Sequence, residues 1–214
     1  MNKKHGFFVL VTRGLEDIAL QDVQNTLGPV EVESQEYRRI IFSYEGKPLS
    51  LLNLKAVDDV FVFAATFNVS HIKESLKTFE TQTRKIDFIS IVKYVTQIRD
   101  IPKQLSFSIT VSNIGKKNYT PTEIKQTIAQ TLNSKFGWTF ITASPGNINI
   151  RVFIENDFVL MGIRVDQTPL HRRTYKTHSL PASLKSSVAH SLLIIANVKK
   201  EETVLDPMCG VGTI

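Results

Sequence analysis

The chain has 214 residues, enough for one large or two small domains that bury their own cores, so a peptide-sized or fibrous protein is excluded. A hydrophobic fraction of 42% beside 21% charged residues matches the globular average and argues against wholesale disorder. The net charge of +6 points to anionic partners, nucleic acid before membrane lipid. No stretch approaches the roughly 18 apolar residues of a membrane span, and Phe7 to Val11 is too short for a signal-peptide core, which predicts a cytoplasmic protein. The single cysteine, Cys209, permits no internal disulfide and no cysteine-cluster metal site, so no metal is expected.

Phe7 to Thr12 reads as a buried strand. Leu15, Ile18, Ala19, Val23 and Leu27 then share one face at helical spacing, and Gly28 with Pro29 ends the helix. Two strand-like runs, Val30 to Glu36 and Arg39 to Tyr44, precede a weaker helix around Leu49 to Ala56 and a third run, Val60 to Phe67, in which Phe61, Phe63 and Phe67 are core candidates. This β-α-β-β-α-β order is that of a small ferredoxin-like unit.

Ser70 to Arg99 reads as helical with a break near Thr81 to Thr83, followed by a half-buried strand, Leu105 to Ser112, that alternates apolar and hydroxyl residues. The loop Asn113 to Asn118 carries Gly115, Lys116 and Lys117. Thr120-Pro121-Thr122-Glu123 has the layout of a capping box, and Ile124, Ile128, Ala129 and Leu132 give the following helix a buried stripe that Gly137 closes. Trp138 reads as a packing residue. Two strands, Ile148 to Ile154 and Phe158 to Val165, flank Glu155-Asn156-Asp157, which has hairpin-turn chemistry.

From Gln167 to Lys200 there are six Lys or Arg and no Asp or Glu, and a helix is predicted over about Ala182 to Val198. Arg172, Arg173 and Lys176, with Tyr175 among them, form either a phosphate-gripping strip with one stacking ring or a solvated basic linker. Lys116 and Lys117 precede a helix N-terminus, where phosphate is also favoured. His171, His178 and His190 lack metal-ligand spacing and read as surface or capping residues. The last residues, Thr203 to Ile214, read as a strand running into a glycine-rich turn. Gly210-Val211-Gly212 at such a place lets backbone N–H groups approach a ligand. It lacks the Gly-Lys-Ser/Thr of a P-loop and shows no third glycine of a dinucleotide fingerprint. Taken alone, it also suits an ordinary tight turn.

Asp206-Pro207-Met208-Cys209-Gly210-Val211-Gly212-Thr213 resembles the first motif of the S-adenosylmethionine-dependent RNA guanine-N2 methyltransferases that carry a THUMP domain. Pro169-Leu170-His171-Arg172-Arg173 and Leu180-Pro181-Ala182-Ser183-Leu184-Lys185 resemble the entry to the same catalytic domain. The resemblance implies an α+β chain: a ferredoxin-like unit over 1–68, a THUMP RNA-binding domain over 69–166, and a linker with the start of a Rossmann-like methyltransferase domain over 167–214. It implies that Pro181, Ala182, Ser183, Leu184, Asp206, Pro207, Gly210, Gly212 and Thr213 contact S-adenosylmethionine. The implied partner is structured RNA, the tRNA acceptor region or alternatively rRNA, with Lys116, Lys117, Arg172, Arg173 and Lys176 as candidate contacts. One departure matters: the family's Asn/Asp-Pro-Pro-aromatic tetrapeptide, which accepts hydrogen bonds from the target amine, has no counterpart here. A guanine amine is a poor nucleophile, so its activation depends on such acceptors and on placement. The expectation is therefore a truncated enzyme with no catalytic residue of its own, an incomplete donor pocket and no activity alone. The alternatives are a non-catalytic THUMP RNA-binding module and the RNA-binding half of another modifying enzyme such as a thiouridine synthase.

Overall fold

The computed structural model describes residues 5–142, 146–176, 178, 182–199 and 201–214. It divides into two compact units, one of Met1–Val60 with Thr168–Ile214 and one of Phe61–Gln167. The basic segment expected to begin a separate domain thus clusters with the first sixty residues.

In the first unit, β1 (His5–Leu10) lies antiparallel to β3 (Arg39–Tyr44), which lies antiparallel to β2 (Glu31–Glu36). All six residues of β3 are buried, because β3 is flanked by strands on both sides and α1 (Glu16–Leu27) packs against it. Phe7, Phe42 and Tyr44 form the aromatic part of this core. The expected helix at 49–56 is a single 3-10 helix, Pro48–Asn53. Immediately after it, Asp22 of α1 accepts the backbone N–H groups of Lys55 and Ala56 at 2.7 and 2.8 Å, satisfying donors that have no ladder partner.

In the second unit, β4 (Asp59–Asn68, from Phe61 onward), β8 (Phe158–Arg164), β7 (Ile148–Glu155), β5 (Ser106–Ile114) and β6 (Thr139–Phe140) lie side by side in that order. The β5–β7 and β5–β6 pairs are parallel and the others antiparallel. Asn156 takes a positive φ in the two-residue β7–β8 turn, as the hairpin chemistry requires. The expected break near Thr81–Thr83 lies instead at Ile86–Asp87, between α2 (Ser75–Lys85) and α3 (Phe88–Val95). Asp87 causes it, its carboxylate accepting from the Ser90 N–H at 3.1 Å as an N-cap. Helix α4 (Pro121–Phe136) carries the complete capping box at Thr120 and Glu123. Lys135, in its last turn, donates to the carbonyl of Arg84 at 2.5 Å and so caps α2. Trp138 is buried and stacks on Phe136. Phe61 is fully buried, whereas Phe63 and Phe67 are half-buried.

Helix α5 (Ser186–Ile195) in the first unit is shorter at both ends than the apolar spacing suggested. The expected strand before the glycine-rich turn does not form: residues 202–206 have no strand conformation, and Leu205 is 85% exposed. A strand exists only through its ladder partners, and none of the described strand pairings includes this segment. No helix among the described residues is long and apolar enough to cross a membrane.

Candidate functional site

Two segments of the first unit meet to form a cleft of about 280 Å³. One wall is Ala182, Ser183 and Leu184; the other comprises Asp206, Met208, Cys209, Gly210, Val211, Thr213 and Ile214. The second wall is a chain of turns. The Asp206 carboxylate accepts from the Met208 N–H at 2.9 Å, and the Gly212 N–H donates to the Cys209 carbonyl at 2.8 Å. Gly210 and Gly212 have φ of +56° and +65°, a region that disfavours a side chain.

Six of the residues assigned to the donor by resemblance line this cleft: Ala182, Ser183, Leu184, Asp206, Gly210 and Thr213. Pro207 and Gly212 belong to the same turns without lining it, and Pro181 lies outside the described residues. Met208, Cys209, Val211 and Ile214 join the lining, although the motif gave no reason to single out their side chains. The lining residues offer the Asp206 carboxylate, the hydroxyls of Ser183 and Thr213, the Cys209 thiol and apolar side chains. That set suits a ligand carrying an ammonium, a carboxylate and an apolar body.

The five candidate RNA contacts divide. Lys116 and Arg172 are exposed. The Lys117 side chain is only 2% exposed, its ammonium 3.0 Å from the Asp157 carboxylate and 3.3 Å from the Ser70 carbonyl. The Arg173 guanidinium donates to the Leu54 carbonyl, and burial lowers its pKa. The Lys176 ammonium donates to the Leu184 carbonyl at 2.5 Å. These three cations satisfy carbonyls and a carboxylate, so Lys117 and, within the basic run, Arg173 and Lys176 serve partly as internal scaffolding.

Sequence reasoning missed two features. In the first unit, Asp58 is buried and receives hydrogen bonds from Lys185 and Ser187. In the second, a cleft of about 320 Å³ brings together Lys125, Phe140, Asn149 and Arg164. There Asn149 donates to Ser108 and Thr110 at 2.8 and 3.1 Å, while its buried Oδ1 has no partner. The alternation of hydroxyl residues along β5 marked this face as polar, but nothing local linked it to Lys125 or Arg164, which come from α4 and β8.

Residues 173–214 match the family model described as UPF0020, RMKL-like, methyltransferase domain. The chain is 27% identical over 216 residues to the tRNA (guanine(6)-N2)-methyltransferase of Archaeoglobus fulgidus, covering 97% of this chain and 51% of that protein. It is 34% identical over 125 residues to the U6 snRNA (guanine-N(2))-methyltransferase THUMPD2 of Bos taurus, covering 56% of this chain and 24% of that protein. Among solved structures, SMU.472 complexed with SAH superposes with a TM-score of 0.70 at 18% identity, covering all of this chain and 54% of the other. The chain spans about half the length of the archaeal relatives it matches.

Proposed function

Since the chain is related to the RNA guanine-N2 methyltransferases that carry a THUMP domain, we propose that it forms the RNA-gripping part and the first donor-binding turn of such an enzyme. Its substrate is tRNA or another structured RNA, its donor S-adenosylmethionine, and its place of action the cytoplasm. The first unit begins the donor pocket, and residues 61–167 act as the THUMP-type RNA-binding part. One observation carries this reading: Ala182–Leu184 and Asp206–Ile214, separate in sequence and similar to two distinct family motifs, line one cleft.

When bound, S-adenosylmethionine supplies an electrophilic methyl group. In this reading the Asp206 carboxylate takes the ammonium end of the donor, the main chain around Gly210 and Gly212 approaches its polar groups, and Ala182–Leu184 close the opposite side. Lys116 and Arg172 contact phosphates from the surface. In the second unit, the Lys125–Phe140–Asn149–Arg164 cleft combines cations, a ring and a buried acceptor, a set suited to a nucleotide. No Asn/Asp-Pro-Pro-aromatic tetrapeptide occurs in these 214 residues, so the acceptors for the target amine come from elsewhere and this chain alone transfers no methyl group.

The test is nucleoside mass spectrometry of tRNA and other structured RNA from a strain lacking the gene, with and without the complete gene restored. The expected result is an N2-methylguanosine signal that disappears and returns with the gene. Unaltered methylation in the deletion strain would remove the reading.

A further inference from the structure

Asp58 lies where β1, the 171 segment and the entrance to α5 converge within the first unit. It is 7% exposed. Its carboxylate accepts from Lys185 Nζ at 2.8 Å, from Ser187 Oγ at 2.6 Å and from Thr12 Oγ1 at 3.2 Å. Its main chain is equally engaged: the N–H donates to the Leu10 carbonyl at 2.7 Å, and the carbonyl accepts the His171 N–H at 3.0 Å with His171 Nδ1 also at 3.0 Å.

Lys185 and Ser187 are not arbitrary partners. Lys185 is the N-cap residue of α5 and its side chain caps nothing; it directly follows the Ala182–Leu184 wall. Holding Lys185 and Ser187 on one carboxylate fixes the first turn of α5, and the helix N-terminus favours that negative charge. The wall before it needs such support. Ala182 has φ of +63°, a conformation costly for a residue with a Cβ and kept only when the surroundings enforce it. Lys176 holds the Leu184 carbonyl, leaving the α5 end of the wall to Asp58. The Asp58 end of this ion pair is buried and the Lys185 end half-exposed, so the pair adds little net stability, but removing Lys185 leaves a buried carboxylate without its cation, so the contact suits fixing a geometry.

We propose that Asp58 is a positioning residue for the methyl-donor pocket, setting the Ala182–Leu184 wall through Lys185 and Ser187. This rests on the reading of that cleft as the donor site. The first sixty residues then take part in the donor site, because one of their carboxylates shapes the cleft formed by the last forty.

The experiment uses the complete protein and its Asp58→Asn, Lys185→Met and doubly substituted forms. Affinity for S-adenosylhomocysteine is measured by calorimetry, RNA affinity by filter binding, and amide exchange by mass spectrometry over residues 182–190. Loss of the bond that keeps the wall in its binding-competent arrangement reduces the competent fraction, and a roughly tenfold reduction predicts a donor affinity about tenfold weaker in either single variant. The double variant should be no weaker than the worse single one, with faster exchange at 182–190 and unchanged RNA affinity. Lys185→Met tests the pair at a half-exposed partner should Asp58→Asn fold poorly. Wild-type donor affinity in the single variants, additive losses, or donor and RNA affinity falling together with the melting temperature would each overturn the positioning role. A wild-type protein with no affinity for S-adenosylhomocysteine would overturn the donor-site reading itself, whereas normal wild-type binding with indifferent variants sinks only the role of Asp58.

Discussion

Replacing Asp22 tests how the first unit is held together. Asp22 is 5% exposed on α1, and one carboxylate oxygen receives the N–H groups of both Lys55 and Ala56 at 2.7 and 2.8 Å. The other oxygen receives the Thr26 hydroxyl at 3.2 Å. Alanine removes the acceptor and orphans two main-chain donors, one of them fully buried. At about 1.5–3 kcal/mol for each hydrogen bond to a charged group, offset in part because no charge need then be desolvated, the net cost is about 3–4 kcal/mol. Asparagine keeps an oxygen where both N–H groups converge, so Asp22→Asn should cost only about 1 kcal/mol. With about 2–4 °C per kcal/mol for a chain of this length, Asp22→Ala lowers the melting midpoint by roughly 10 °C and Asp22→Asn by roughly 3 °C. Urea unfolding followed by far-ultraviolet circular dichroism measures both, and amide exchange at Ala56 should accelerate selectively in the alanine variant. Equal costs for the two variants, or a loss below about 1 kcal/mol for alanine, would refute this account of the Asp22 bonds.

Acid should weaken the same unit through His190. Burial lowers its pKa, aided by Lys55 and Arg173 and opposed by Asp22 3.8 Å away. Because the folded value lies below the unfolded one, the contribution to stability is complete above the unfolded pKa and is lost as pH falls through the folded value. The melting midpoint should therefore drop more steeply between pH 7 and pH 5 in the wild type than in His190→Gln; parallel profiles would exclude His190 as the source. In the second unit, Lys73 and the Thr120 N–H hold Glu123 down at about pKa 2. Its contribution is complete above the ordinary carboxylate value and fades progressively from there as pH falls through about 2, so at pH 4 most of it remains and amide exchange at the start of α4 should be slower in the wild type than in Glu123→Gln. Lys116→Glu and Arg172→Glu should each weaken tRNA binding and flatten its salt dependence by about one unit of log–log slope, as for one phosphate contact. Unchanged affinity and slope in filter-binding titrations would remove both residues from the RNA surface.

What was legible in the sequence was local. The capping box at Thr120–Glu123, the Asn156 hairpin and the stop at Gly28 depend on a few adjacent residues, and the structure forms each of them. The α2–α3 break was misplaced because periodicity blurs across it, while the capping role of Asp87 is visible only in its bond to Ser90. The two-residue β6 carries no period and was not anticipated. At the site, the motif residues could be named in advance, but Lys117, Arg173 and Lys176 could not be separated from Lys116 and Arg172. Their partners Asp157, Leu54 and Leu184 are set by tertiary folding. Asp58 and Asp22 were invisible for the same reason, since each gains its meaning from segments more than thirty residues away.

If Ala182–Leu184 and Asp206–Ile214 enclose a methyl donor, Cys209 offers a direct probe of it. This cysteine is exposed, free and part of the cleft lining. Alkylation of Cys209 in the complete protein, followed peptide by peptide in the mass spectrometer, should slow saturably as S-adenosylhomocysteine is added, with adenosine far less effective. A rate indifferent to millimolar S-adenosylhomocysteine, while the same protein still binds RNA, would contradict the assignment of this cleft.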